Sequence, residues 1–284
     1  MINRLMDFIH DHPRLLVLTG AGCSVNSGIP AYRDGRGNWQ RSDPIKHQEF
    51  ISCLASRKRY WARSYVGWPP VKNALPNAAH RSLANLESLG RIDLLVTQNV
   101  DRLHQRAGQR HVIDLHGRLD QVVCLECRHV SHRDEVQQQL EALNPHLGAT
   151  EPAASLAPDG DADVADSLVE KLSVPLCRYC GGLLKPNVVF FGDSVDRSLV
   201  EFIFERLENS DGLMVVGSSL MVFSGYRFCR HAARHNKPIA CINAGQTRAD
   251  DLFTLKLEQD CGEVLQALSQ ALSGRGAAIV DPDQ

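Results

Sequence analysis

The sequence predicts an α/β fold, a doubly wound parallel sheet that carries a smaller second lobe. Three observations lead there. Four short apolar runs, Leu15–Leu18, Ile92–Val96, Leu213–Val216 and Pro238–Ile242, each end in a polar or glycine-containing turn. Helical patterns such as Ala79–Leu89 and Ser198–Leu207 lie between them. Two long stretches, 36–78 and 118–187, break that rhythm. Continuous apolar runs mark strands covered on both faces, and strand, turn and helix in repetition is the pattern of a doubly wound sheet. Ligands of such sheets gather outside the carboxyl ends of the strands. The expected division places residues 1–35, 79–117 and 188–284 in the large α/β domain, and 36–78 and 118–187 in the small lobe.

The first run leads into Gly20-Ala21-Gly22-Cys23-Ser24 and then Ser27-Gly28-Ile29-Pro30. A glycine turn between strand and helix often cradles a phosphate. Neither familiar version is present: the dinucleotide fingerprint needs glycine where Val25 stands, and the P-loop needs a lysine. Cys23 and Ser24 lie outside a nucleophile-elbow pattern, which speaks against covalent catalysis. The next stretch carries Trp39, Tyr60, Trp61, Tyr65 and Trp68, then Pro69-Pro70, and reads as a helical insertion with an aromatic lining.

Past the second run comes Thr97-Gln98-Asn99-Val100-Asp101. These residue types serve as helix N-caps, and they also suit hydrogen bonding to a ribose or a carboxamide. His116 follows another apolar run, Val112–Leu115, and precedes Gly117; a neutral imidazole there suits a general base near pH 7. Cys124-x-x-Cys127 and Cys177-x-x-Cys180 place two thiolates each on a tight knuckle. Together they complete a structural zinc site with no open position, a redox dithiol being the other reading of one pair. Gly217-Ser218-Ser219 and Asn243-Ala244-Gly245 read equally as nucleotide-contact turns or as ordinary strand-to-helix connections.

Composition narrows the class. The 284 residues are 43% hydrophobic and 23% charged, enough for a sizeable core in a soluble chain. A formal net charge of −2 gives no reason to expect nucleic acid as a partner. No apolar run approaches the roughly 20 residues of a membrane span. Nine cysteines, an odd number, fit metal plus free thiols in a reducing compartment. The N-terminal residues lack a secretory h-region, so the expected location is the cytoplasm, and the expected state a monomer with no membrane partner.

Each signal is modest alone; their order is specific. Gly20-Ala21-Gly22-Cys23-Ser24, Ser27-Gly28-Ile29-Pro30, Tyr32-Arg33, Thr97–Asp101, Leu115-His116-Gly117, the cysteine pairs, Val189-Phe190-Phe191-Gly192-Asp193, Gly217-Ser218-Ser219-Leu220 and Ile242-Asn243 follow one another along nearly the whole chain. This set resembles the sirtuins, NAD-dependent protein lysine deacylases with a Rossmann-like domain. Tyr60-Trp61-Ala62-Arg63, Val66-Gly67-Trp68-Pro69 and Leu156–Asp161 resemble the class II branch, which holds a mitochondrial deacylase and lipoamidase with bacterial relatives.

The resemblance implies that Gly20, Ala21 and Gly22 approach the NAD pyrophosphate by backbone, with Ser24, Gly28, Ile29, Pro30, Tyr32 and Arg33 in the loop that closes over the nicotinamide ribose. Gln98, Asn99, Val100 and Asp101 would hold the nicotinamide half. Gly217, Ser218, Ser219, Asn243, Ala244, Gly245 and Cys261 would contact the adenosine half. Acyl-lysine would enter between the lobes as an added strand against Val188–Phe191 and the stretch after Ser219. The acyl oxygen then attacks the anomeric carbon, nicotinamide leaves, and His116 acts as base on the ribose hydroxyls, giving free lysine and O-acyl-ADP-ribose. Asn99 is expected to act with His116. Tyr60-x-x-Arg63 resembles in spacing a pair that binds acidic acyl chains, with Val189 and Phe190 beside it; a helix packing its aromatic face is the plainer reading. ADP-ribosyl transfer to protein, a lipoamidase-type long-acyl hydrolase and a non-catalytic NAD or ADP-ribose sensor are the alternatives.

Overall fold

The computed structural model describes residues 2–34, 36, 38, 44–146, 159, 160, 162 and 164–277. Trp39, Leu156, Ala157, Pro158 and Asp161 lie outside the described residues. Six parallel strands form the main sheet in the order β3-β2-β1-β7-β8-β9. They are β1 (Leu15–Thr19), β2 (Ile92–Thr97), β3 (Val112–Asp114), β7 (Gly212–Val216), β8 (Ile239–Ile242) and β9 (Leu255–Leu257). The four expected strands are all present, within one residue at each end. The edge strands are three residues each, and β9 carries too little apolar sequence to stand out.

Alternate residues of each strand enter opposite cores. Leu15, Val17, Leu95, Met214, Val216, Ala240 and Ile242 meet α1 (Ile2–Asp11), α4 (Ala78–Ser88) and α10 (Cys261–Ala277). Leu16, Leu18, Leu94, Val96, Leu213, Val215 and Cys241 meet α8 (Arg197–Glu208) and α9 (Phe223–Arg234). Burial on both faces is why these strands read as unbroken apolar runs. The strand order reverses between β1 and β7, so their carboxyl ends flank the crevice of a doubly wound sheet.

The small lobe has a sheet of its own, which the sequence did not announce. Antiparallel strands β4 (Gly117–Cys124), β5 (Val130–His132) and β6 (Leu184–Val188) run in the order β5-β4-β6. Around it pack α2 (His47–Ser52), α3 (Leu54–Asn73), α6 (Arg133–Leu143) and α7 (Asp166–Lys171), over a core containing Phe50, Trp61, Val122 and Leu140. The short α5 (Leu103–Arg106) follows the Thr97–Asp101 turn. α3 runs through Pro69 and Pro70. Pro69 cannot donate back to Tyr65, and that carbonyl instead accepts Gln137 Nε2 at 3.1 Å. Among the described residues no helix is long and apolar enough to cross a membrane.

Candidate active site

A cavity of about 900 Å³ opens between the carboxyl edge of the main sheet and the small lobe. Its floor answers why glycine dominates the loop after β1. Gly20 and Gly22 donate to the carbonyls of Val216 and Gly217 at 3.2 and 2.8 Å. A Cβ on Gly20 would fall 2.8 Å from Ser218 Cβ, and one on Gly22 2.8 Å from the Gly217 carbonyl oxygen. Gly217 itself has φ +57°, with space for a Cβ blocked by Cys23 N at 2.5 Å. The two turns at the switch point interlock. The amides of Gly20 and Gly22 are spent inside the fold, so a ligand meets the bare Cα edge of this loop.

Beyond the glycines, Ala21 to Ser27 form a 3₁₀ turn closed by Gly28 in the left-handed region, φ +83°. Ser24 is buried and donates to Asp101 Oδ2 at 2.6 Å, while Asp101 Oδ1 accepts the Leu103 amide at 2.9 Å. Burial raises the Asp101 pKa, and these two hydrogen bonds pull against it. Asn99 Nδ2 donates to the Gly20 carbonyl and to Ser24 Oγ, both at 3.0 Å. Gln98 Nε2 reaches across to Ser218 Oγ at 2.7 Å. Three strand ends are thereby tied by side chains that also face the cavity.

His116 follows β3 and is presented to the same cavity. Its Nδ1 lies 2.9 Å from the Gln98 carbonyl, which only accepts, so the proton sits on Nδ1. Nε2 then carries the lone pair, and the Ser224 hydroxyl donates to it at 2.8 Å. Burial lowers the imidazole pKa, the Gln98 contact pulls it up, and the Arg227 charge lowers it further. Gly117 is required just behind: its φ is +80°, and a Cβ would collide with the Asn187 carbonyl. This is a neutral base with a fixed tautomer.

The expected site residues divide in two. In the cavity wall stand Gly20, Ala21, Gly22, Ser24, Ile29, Tyr32 and Arg33 from the first loop, then Gln98, Asn99, Val100, Asp101 and His116. Gly217, Ser218 and Ser219 join them with Asn243, Ala244 and Gly245 from the end of β8, and Tyr60, Val189 and Phe190 form the side toward the small lobe. Gly28, Pro30, Arg63 and Cys261 are set back from the wall. Gly28 shapes the turn. Cys261 Sγ contacts the Gly22 carbonyl at 3.7 Å and supports the loop from behind. Arg63 Nε donates to the Ala162 carbonyl at 3.1 Å, engaging the loop before α7. Tyr60 and Phe190 pack against Phe50 in one aromatic group.

Sequence reasoning missed Ser224, Arg227 and the strained turn that delivers them. Leu220 is buried with φ +57°, unusual for a branched residue. No spacing rule points to a serine five residues past Ser219; only the fold brings it to His116. Exposed Val222 and Phe223 edge the cavity mouth here. Opposite, Val189 N donates to the His116 carbonyl at 2.8 Å, and the Phe191 carbonyl accepts from His47 N at 2.9 Å.

The four paired cysteines also converge. Cys124 and Cys180 Sγ are 3.5 Å apart, Cys127 and Cys177 Sγ 3.7 Å, and all four sulfurs lie within 4.8 Å of one another. Zinc–sulfur bonds of about 2.3 Å at tetrahedral angles put sulfurs about 3.8 Å apart, so the set fits zinc with no position open.

Comparison with known proteins agrees with this geometry. A profile of the Sir2 family matches residues 20–224. An NAD-dependent protein deacetylase of Xanthomonas axonopodis pv. citri is 56% identical over 264 residues, covering 93% of this chain and 89% of that protein. The human mitochondrial NAD-dependent protein lipoamidase sirtuin-4 is 48% identical over 267 residues, covering 93% and 84%. A solved structure of Sir2 with a p53 peptide and NAD+ superposes with a TM-score of 0.75 at 29% identity, over 98% of this chain and 99% of the other.

Proposed function

The chain belongs to the Sir2 family, and from that premise we propose that it is an NAD-dependent protein lysine deacylase whose products are nicotinamide, free lysine and O-acyl-ADP-ribose. The observation that carries the proposal is His116: a neutral imidazole of fixed tautomer in a cavity that Asn99 and Asp101 also face. A pure NAD sensor has no use for such a base.

NAD supplies an anomeric carbon that accepts the acyl oxygen once nicotinamide leaves, and one water is taken up as the lysine amine departs. The cavity fits it: carboxylate, amide and hydroxyl groups stand at the switch point where dinucleotides bind in doubly wound folds. Asn99 and Asp101 bind the nicotinamide half, braced by Ser24. Ser218 and Asn243 face the adenosine half, with Cys261 as support behind the loop. His116 Nε2 takes the proton from a ribose hydroxyl. The acyl-lysine peptide lies across the mouth, between Val188–Phe191 and the stretch after Ser219, adding a strand. The Val189 amide and Phe191 carbonyl are already paired, so the peptide uses the other edge of that segment.

Zinc is held by Cys124, Cys127, Cys177 and Cys180 and fastens the ends of β4 and β6; it takes no part in the chemistry. We assign the NAD-binding unit to 1–35, 79–117 and 188–284, and the small lobe to 36–78 and 118–187. The acyl end is enclosed by Tyr60, Val189 and Phe190, an apolar wall that suits neutral acyl chains; Arg63 stands aside from it. The test is incubation with NAD and lysine peptides carrying acetyl, succinyl, glutaryl and lipoyl groups, read by mass spectrometry. Free-lysine peptide with O-acyl-ADP-ribose supports the proposal. NAD consumption with ADP-ribose mass added to protein, and no deacylated peptide, overturns it in favour of transfer to protein.

A further inference from the structure

We propose that Glu208, His231 and His235 form a second metal site, for a divalent cation of the zinc class, that clips α8 to α9. His231 is in the last turn of α9 and His235, four residues on, caps its carboxyl end, a spacing that lets two imidazoles chelate one ion. Glu208 is the last residue of α8. His231 Nε2 is 2.7 Å and His235 Nδ1 3.8 Å from Glu208 Oε1, and the three ligand atoms lie within 4.8 Å of one another. Bonds of about 2.0–2.2 Å at tetrahedral angles space such atoms about 3.3 Å apart, between the two observed values. Small side-chain rotations suffice.

The ligands are held for this. The His231 ring stacks on Phe204 of α8 at 4.1 Å and 14°, which fixes its plane. The His235 ring lies 4.2 Å from it. Two imidazoles and one carboxylate suit Zn²⁺, Co²⁺ or Ni²⁺, whereas Mg²⁺ and Ca²⁺ favour oxygen ligands. Arg230 and Arg234 on the same helix oppose a cation, which weakens the site relative to the four-thiolate one. Glu208 and His235 side chains are 46% and 40% exposed, so the ion is exchangeable and takes water as its fourth ligand. Its effect is mechanical. α8 and α9 carry cavity-wall residues in their amino-terminal halves, Val200 and Glu201 on one, Ser224 and Arg227 on the other. A cross-link at their far ends stabilises that wall by mass action.

The zinc-loaded holoenzyme is titrated with Zn²⁺ by calorimetry and with Co²⁺ by visible absorption, the cysteine site already being filled. The expected result is one further equivalent, a cobalt spectrum free of thiolate charge transfer, and a metal-dependent rise in melting temperature. His235→Ala and His231→Ala should each weaken binding at least tenfold. His235→Ala, at a half-exposed position, should melt as wild type without added metal and deacylate within twofold of it. No further equivalent, or unchanged affinity in the variant lacking both histidines, overturns the site. Neither outcome depends on the catalytic proposal.

Discussion

Ser224 Oγ donates to His116 Nε2 at 2.8 Å, so the lone pair expected to act as base is already engaged before any ribose arrives. This bond stabilises the neutral imidazole, in the same direction as burial. Ser224→Ala removes it and raises the His116 pKa. The acid limb of kcat/KM against pH should then move to higher pH by up to about one unit, the worth of a hydrogen bond of about 1.4 kcal/mol. Ser224→Thr keeps the hydroxyl and should restore the wild-type limb. A limb that stays in place in Ser224→Ala would show the contact to be idle.

The interlock between the two glycine turns predicts a cost for one methyl. Gly22→Ala drives Cβ against the Gly217 carbonyl, a backbone atom that cannot rotate away. Overpacking of this kind costs about 1–3 kcal/mol. Denaturant midpoints should fall accordingly, and the KM for NAD should rise several-fold as the loop shifts. Wild-type stability with wild-type KM would mean that the turn relaxes freely.

Zinc removal should loosen the substrate side of the cleft. Cys124 and Cys177 belong to the same core as Trp61, and Phe190 packs against that core from the cavity wall. Chelation should release one zinc per chain, change the near-ultraviolet signal of the tryptophans and abolish deacylation, with recovery when zinc returns. Full activity in the metal-free protein would contradict a structural role.

Two buried histidines make stability depend on pH. The His80 and His104 rings lie 4.7 Å apart, tilted by 58°, and His80 Nε2 and His104 Nδ1 meet no partner among the described residues. Burial lowers the His80 pKa to about 4, and that of His104 well below its ordinary value. The unfolded chain takes up these protons near pH 6.5, whereas folded His80 does so only near 4 and folded His104 well below its ordinary value, so more protons bind the unfolded state as pH falls below 6.5. Stability is therefore undiminished above pH 6.5 and falls as pH drops toward 4. His80→Gln, which keeps an acceptor for the Asn77 amide, should flatten the decline in urea midpoint between pH 7 and 5. An equally steep decline in the variant would place the effect elsewhere.

Much of the frame was legible because the central strands are buried on both faces and so leave unbroken apolar runs. The position of His116 after such a run, and the two cysteine pairs, were legible for the same local reasons. The small sheet was not. β4 alternates weakly and β5 is largely exposed, and both gain their pairing from the cysteine knuckles and the helices above. The persistence of α3 through two prolines depends on Gln137, far along the chain, taking up the freed Tyr65 carbonyl. Arg63 reads as a pocket residue from its spacing to Tyr60; what that spacing does not announce is that its Nε donates to the Ala162 carbonyl. Ser224 reached the base only through tertiary structure.

The most direct test of the account is a single-turnover comparison of wild type and His116→Ala with NAD and an acetyl-lysine peptide, following nicotinamide and free-lysine peptide separately. The account assigns His116 to the ribose proton and the nicotinamide pocket to Asn99 and Asp101. The variant should therefore still release nicotinamide while losing free lysine by about 10²–10⁴-fold, the range for a general base. Deacylation by the variant at the wild-type rate would contradict the assignment of the base.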